Sequence, residues 1–312
     1  MRSVSRVALL TYGGPAVGLG HVSRCLALGR AFAADGADVR FLINPDDGVA
    51  MFLRRASVAA VEVPWVSEPR GVFEALATFG PDVVVVDSYA APPEFLADLS
   101  SVAGQVVAVD DLADRALPVQ VVVNGGVAAE RLAYGLVTDA VLLLGPRYAL
   151  VDPRYAAAPS RSPRDRAHHV FLSLGGGDHP DALSAALAAI EAVSDDIVAD
   201  IALGPFSAPS GSEAMIQRAH NRVFVHRDLS DLRGLMLAAD VAISGAGMTL
   251  YELAATATPT VIVRMADNQR PNAEGFERAG AALEGGAAGD SGLGPTLESA
   301  LRRMVGDPTL RA

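Results

Sequence analysis

A chain of 312 residues, 51% hydrophobic and 20% charged, is long enough for two domains and too apolar to be disordered over most of its length. Its formal charge of −11, from 25 basic and 36 acidic residues, argues against a nucleic-acid partner, and no Lys/Arg-rich run supplies a basic face. The single cysteine, Cys25, rules out an intrachain disulfide and cysteine-rich metal sites, and no apolar run reaches the roughly 18 residues of a membrane span.

Short β-branched runs alternate with helical patterns, which predicts an α/β chain of repeated βαβ units. Aromatic residues make up only 5%, so buried parallel sheets flanked by small-residue helices are expected rather than a groove lined with stacked rings. The basic residues ahead of VALL superficially suggest a signal peptide. That apolar run is too short for one and leads into a glycine-rich loop, so it is read as the first core strand of a cytoplasmic protein. This strand, residues 7–10, passes through TYGGPAVGLG into a helix starting near His21. There Val22, Cys25, Leu26, Gly29 and Phe32 share one face and Gly36 closes the helix.

Further strands are predicted at 39–43, 58–63, 83–87, 106–110, 121–124 and 141–144. The segment YAAAPSRSPRDRAHH (155–169) has no period and is rich in Pro, Ser and Arg. Two Rossmann-like domains are therefore expected, 1–155 and 165–312, joined by a linker at 156–164. In the second, VFLSL (170–174) runs into GGGD and a helix from about Pro180. IVADIAL, VFVH, VAIS and TVIV supply its other strands, most of them apolar at every position, as strands buried on both faces are.

Three clusters carry candidate chemistry. In GLGHVSRC, Gly18 and Gly20 let a ligand approach the backbone, His21 opens a helix at the carboxyl edge of the sheet, and Arg24 lies one turn on. A capping histidine in an ordinary turn is the alternative. Ser23 stands where the dinucleotide fingerprint needs its third glycine, which argues against that motif. In SGAGMTLYELAA, Gly245 and Gly247 precede a helix whose first turn holds Met248 and Thr249, a setting for a diphosphate. Glu252, further along that helix, suits two ribose hydroxyls, and a plain strand–turn–helix with a solvated Glu is the alternative. In ADNQRPNA, Asn268 and Gln269 follow a strand and could donate to sugar hydroxyls, or simply form a polar loop.

GGGD, with Gly176, is a phosphate-loop or hinge candidate in which Asp178 could cap the next helix. Asp87, Asp110 and Asp111 end strands on the same side, where any of them could orient His21 or cap the next element. His168 and His169 face apart in a strand and make a poor metal pair, so no metal site is expected.

Together GLGHVSRCLALGRAF, VVVVDSY, VDDLADR, VVVNGG, LLLGPRYALVDPRY, LSLGGGD and ISGAGMTLYELAATATPTVIV…ADNQ resemble, in order and over nearly the whole chain, the UDP-sugar hydrolases of pseudaminic-acid biosynthesis. Those enzymes remove UDP from UDP-2,4-diacetamido-2,4,6-trideoxy-β-L-altropyranose, and the spore-coat polysaccharide proteins share their opening motif. More distantly, the second half resembles the UDP-N-acetylglucosamine transferase of peptidoglycan synthesis.

The resemblance implies a GT-B fold, two Rossmann-like domains with parallel sheets facing across a cleft that holds a UDP-sugar. It implies no cofactor and a metal-independent reaction with inversion. His21 would be the base, and Asp87 is taken, from the three strand-end aspartates, as its catalytic partner. Gly18, Gly20, Arg24, Gly176 and Gly245 would contact substrate. Gly247, Met248 and Thr249 would hold the diphosphate, Glu252 the ribose, Leu229 the uracil through its backbone, and Asn268 and Gln269 the sugar.

Two departures stand out: the loop TYGGPAV lacks the family's polar residues, which bears on sugar preference, and the family continues past GDPTLRA into a last helix with a DG motif. A glycosyltransferase on the same fold is the main alternative, and a nucleotide-sugar-binding protein without turnover the second.

Overall fold

Runs of valine, leucine and isoleucine that are apolar at every position form the middle of two parallel sheets, where both faces are covered. The computed structural model describes residues 6–137, 139–155, 162–207, 216, 222–227 and 229–312. The chain divides into two units, Met1–Pro153 and Arg154–Ala312. Residues 156–161 of the expected linker lie outside the described set.

The first unit carries β1 (Arg6–Thr11), β2 (Asp38–Ile43), β3 (Ala60–Glu62), β4 (Val83–Asp87), β5 (Gln105–Val109), β6 (Val121–Asn124) and β7 (Val141–Leu144). Its helices are α1 (Gly20–Ala34), α2 (Asp47–Arg55), α3 (Arg70–Phe79) and α4 (Pro93–Leu99). The strand order is β3-β2-β1-β4-β5-β6-β7, every pairing parallel. Order therefore reverses between β1 and β4, whose ends stand in register at Thr11 and Asp87. In open α/β sheets that reversal opens a crevice at the carboxyl ends of the two strands.

The α1 helix packs on this sheet through Val22, Cys25, Leu26 and Gly29, all buried. Gly29 is required by close approach, because a Cβ there would lie 2.8 Å from the Phe41 ring and 2.9 Å from Leu9. Gly29→Ala is expected to lower stability by about 1–2 kcal/mol: overpacking costs about 1–3 kcal/mol and the helix-propensity gain is at most about 1 kcal/mol. A urea-denaturation midpoint checks it.

The second unit carries β8 (His169–Ser173), β9 (Val198–Leu203), β10 (Arg222–Arg227), β11 (Val241–Gly245), β12 (Thr260–Arg264) and β13 (Ala282–Ala287). Its helices are α5 (Pro180–Val193), α6 (Arg233–Ala238), α7 (Met248–Ala255), α8 (Arg270–Arg278), α9 (Leu293–Gly306) and α10 (Pro308–Arg311). The order β10-β9-β8-β11-β12-β13 again reverses, here between β8 and β11, the strands that feed GGGD and SGAGMT. Among the described residues no helix is long and apolar enough to cross a membrane.

Two expectations are corrected and one strand is added. The strand foreseen at 58–63 is only Ala60–Glu62, because the Val58 N–H bonds the Leu53 carbonyl in closing α2. Asp178 does not cap α5; His179 occupies that position, and no side chain caps the helix. β13, ALEGGA, was not foreseen. Its glycines permit contact no side chain would, since a Cβ at Gly285 would lie 2.7 Å from Val261 and 2.8 Å from Leu297.

Candidate functional site

The GGPAVG segment folds back on itself: Gly14 and Gly18 exchange backbone hydrogen bonds of 3.2 and 2.7 Å, and Gly18 takes φ +77°. That turn delivers the chain to Gly20, where α1 begins without a side-chain cap. His21 thus stands in the first turn of α1, beside the end of β4. Its Nδ1 lies 2.6 Å from Asp87 Oδ1, and its side chain is only 5% exposed. No described residue hydrogen-bonds Nε2.

Arg24 completes the group. Its Nε donates to Asp87 Oδ2 at 2.9 Å, one terminal nitrogen to Asp87 Oδ1 at 2.8 Å, and the other to Asp111 Oδ1 at 2.6 Å. The nitrogen facing Asp87 also stands 2.9 Å from His21 Nδ1. Asp87 as a carboxylate can only accept, so its shorter 2.6 Å contact places a proton on Nδ1 and leaves Nε2 as the lone pair of the neutral imidazole, while the Arg24 nitrogen is spent on Asp87. Arg24, one of the expected substrate contacts, is buried and directed inward onto two carboxylates.

Burial opposes the Arg24 charge, but Asp87 and Asp111 outweigh it and hold the guanidinium protonated. Burial would likewise raise the Asp111 carboxyl; Arg24, with the Tyr89 hydroxyl at 2.8 Å, brings it below the ordinary value. Asp110 plays a different part, accepting from the Leu112 and Ala113 amides and the Tyr134 hydroxyl.

Aromatic rings enclose the histidine. Tyr12 stacks on His21 at 5.1 Å between centroids and Tyr89 meets it edge-on at 4.5 Å. Trp65 stands edge-on to Tyr12 and stacks on Phe95. Burial raises the Tyr12 and Tyr89 hydroxyls, so both are neutral donors at ordinary pH. The sequence reading missed both tyrosines, although Tyr89 stands two residues past Asp87 in the DSY turn.

In the second unit Gly245 ends β11, and Gly247 precedes α7, whose first residues are Met248 and Thr249, half-buried and without a side-chain cap. The exposed amide end of a helix favours an anion. Gln269 binds this loop to the next: its Oε1 accepts from Ala246 N at 3.2 Å and Met265 N at 2.9 Å. Two amide donors fix the side chain's orientation and turn its NH₂ towards Gly247, where a Cβ would lie 3.8 Å from it. Asn268 is exposed.

Glu252 lies half-buried on α7, and its charge, after burial, raises the Tyr155 hydroxyl. That same hydroxyl accepts the Leu232 N–H at 3.3 Å, so Glu252 and the segment after β10 meet around Tyr155. Leu229, in that segment, is 42% exposed. Gly176 is committed to the fold, because its carbonyl accepts from Phe206 N and its Cα would lie 2.5 Å from any Cβ at Gly204.

His169 binds Asp200 at 2.5 Å and faces the Ala238 carbonyl, while His226 holds the other Asp200 oxygen at 2.6 Å. Among the described residues no group of three or more His, Cys, Asp or Glu is placed to hold a metal ion.

No protein-family model matches the chain. It is 24% identical over 285 residues to the spore coat polysaccharide biosynthesis protein SpsG of Bacillus subtilis, covering 89% of this chain and 83% of that one. It is 21% identical to the uncharacterized protein MJ1062 of Methanocaldococcus jannaschii, over 85% of this chain and 57% of that longer protein. Among solved structures, Acinetobacter baumannii MurG superposes with a TM-score of 0.65 at 16% identity, over 98% of this chain and 94% of its own. LpCGTa in complex with UDP superposes with 0.66 at 16% identity, over 99% and 92%. Arabidopsis thaliana UGT89C1 complexed with UDP-L-rhamnose gives 0.64 at 14% identity, over 100% and 93%. The fold is GT-B. Each Rossmann-like unit of this GT-B chain carries its glycine-rich motifs at the point where its strand order reverses.

Proposed function

We propose that this chain is a nucleotide-sugar enzyme in which the β8/β11 end of the second unit takes the nucleotide and His21 of the first removes a proton from the attacking group. The observation that carries the reading is the His21–Asp87 pair at the strand-order reversal, with Nδ1 tied to the carboxylate and Nε2 left to accept a proton. In this reading the amides from Gly247 to Thr249 hold the diphosphate, Glu252 the ribose, the backbone at Leu229 the uracil, and Asn268 and the Gln269 NH₂ the sugar. The UDP and UDP-L-rhamnose bound by neighbours of the same fold support a uridine nucleotide.

Glycosyl transfer is the leading reading, because the neighbours that match include the kitacinnamycin glycotransferase, the calicheamicin glycosyltransferase CalG4 and the spinosyn rhamnosyltransferase SpnG. The acceptor hydroxyl gives its proton to His21 Nε2 and its oxygen bonds to C1. The C1–O bond to UDP breaks, and its electron pair leaves with the diphosphate. Hydrolysis, with water as the acceptor, is the second reading. A histidine side chain only 5% exposed is reached more readily by water than by a bulky acceptor, and the chain resembles SpsG along most of its length.

The test is UDP release from a panel of UDP-sugars, including UDP-2,4-diacetamido-2,4,6-trideoxy-β-L-altropyranose, with and without acceptor sugars. Release that needs an acceptor establishes transfer, and release without one establishes hydrolysis. Thermal stabilisation by UDP without release from any donor points to binding alone. The absence of both release and stabilisation would sink the proposal.

A further inference from the structure

The geometry points to Asp111 as a positioning residue that sets the proton affinity of His21 through Arg24. This rests on the reading of His21 as the base.

Asp87 and Asp111 each carry a negative charge, and Arg24 a positive one that both carboxylates share at 2.6–2.9 Å. With a neutral imidazole the array therefore has one negative charge in excess; when His21 takes up a proton it is neutral. Asp87 is completely buried, His21 and the Arg24 side chain nearly so, and in such surroundings an uncompensated charge is costly. A proton gained at Nε2 as the attacking group loses its own therefore brings the array to charge balance. Without Asp111, Arg24 would cancel Asp87, and a protonated His21 would leave the site with an excess positive charge.

The groups around the imidazole are Asp87 and Tyr89 from the end of β4, Arg24 from α1, with Cys25 behind it against Asp87, Tyr12 from the end of β1, and Asp111 from the turn after β5. Arg115, whose charge reaches Tyr12, faces Asp110 at 4.0 Å, and those two opposite charges offset each other. Both tyrosines and the cysteine are neutral at ordinary pH, since burial raises all three. Asp111 is thus the carboxylate beyond Asp87 in this array, and it touches His21 only by way of Arg24. Its other oxygen is held by the Tyr89 hydroxyl at 2.8 Å, which keeps the charge in place.

The experiment is an NMR titration of the His21 imidazole in wild type, Asp111→Asn and Asp111→Glu, with kcat and KM measured on the same samples and folding checked by circular dichroism. Asp111→Ser, small enough to admit a water, replaces Asp111→Asn if the latter does not fold. The neutral variant is expected to move the titration midpoint down by about one pH unit, the size of one nearby charge. The acid limb of the rate profile should follow, with kcat about 10-fold lower and KM unchanged, and Asp111→Glu should restore both. A midpoint that stays at the wild-type value in the folded neutral variant overturns the inference, as does a Glu variant that behaves like the neutral one. The NMR midpoint needs no turnover, so it tests the inference even if no substrate is found. Absence of turnover in wild type would instead overturn the reading of His21 as a base.

Discussion

Replacing His21 by alanine is expected to leave UDP binding within a few-fold of wild type while lowering turnover about 10²–10⁴-fold, the usual contribution of a placed general base. In the proposed reading the nucleotide is held by the second unit, around the α7 amides and Glu252, whereas His21 belongs to the first. Binding and chemistry should therefore separate. Isothermal titration with UDP and a UDP-release assay on the same preparation would show it. Loss of binding together with turnover would mean that His21 supports the fold or holds the nucleotide.

Asp87→Asn should be the more damaging change, because one carboxylate has two tasks. It fixes the proton on His21 Nδ1, and it neutralises part of a buried guanidinium. An asparagine has a single acceptor oxygen. If that oxygen faces Arg24, its NH₂ faces Nδ1 and forces the proton onto Nε2, the atom needed as a base. If it faces His21, the NH₂ points at the guanidinium, donor against donor. The first outcome predicts a rate loss of about 10³–10⁴-fold. Either outcome predicts a stability loss towards the lower end of about 3–5 kcal/mol, since Arg24 retains Asp111. Calorimetry and the UDP-release assay read the two effects independently. A variant with wild-type melting and turnover would remove Asp87 from the mechanism.

The strands of both cores were legible because a run such as VVVVD can be buried only in the middle of a sheet. β13 was not, since ALEGGA owes its place to the space that Gly285 leaves for Val261 and Leu297, and such a fit has no pattern along the chain. Among the site residues, Asp87 could be singled out as the polar end of an apolar strand. Asp110 and Asp111 could not be told apart. Adjacent residues at a strand end point opposite ways, so one serves its own turn and Tyr134 while the other reaches 87 residues back to Arg24. A low aromatic content likewise hid the fact that Tyr12, Trp65, Tyr89 and Phe95 gather in one place. Composition counts rings and says nothing of where they meet.

Cys25 is fully buried on the face of α1 that packs against the sheet, one turn beyond His21, and burial raises its thiol well above the ordinary value. It is also the only thiol in the chain. Its reaction with a disulfide reagent therefore requires α1 to lift from the sheet, so the rate of colour development is a clock for the opening of the very helix that carries the proposed base. No label or engineered probe is needed to time that event in the natural protein. The same clock can be run with substrate, with UDP or with a variant in place, and its slowing would measure how firmly each holds the site together.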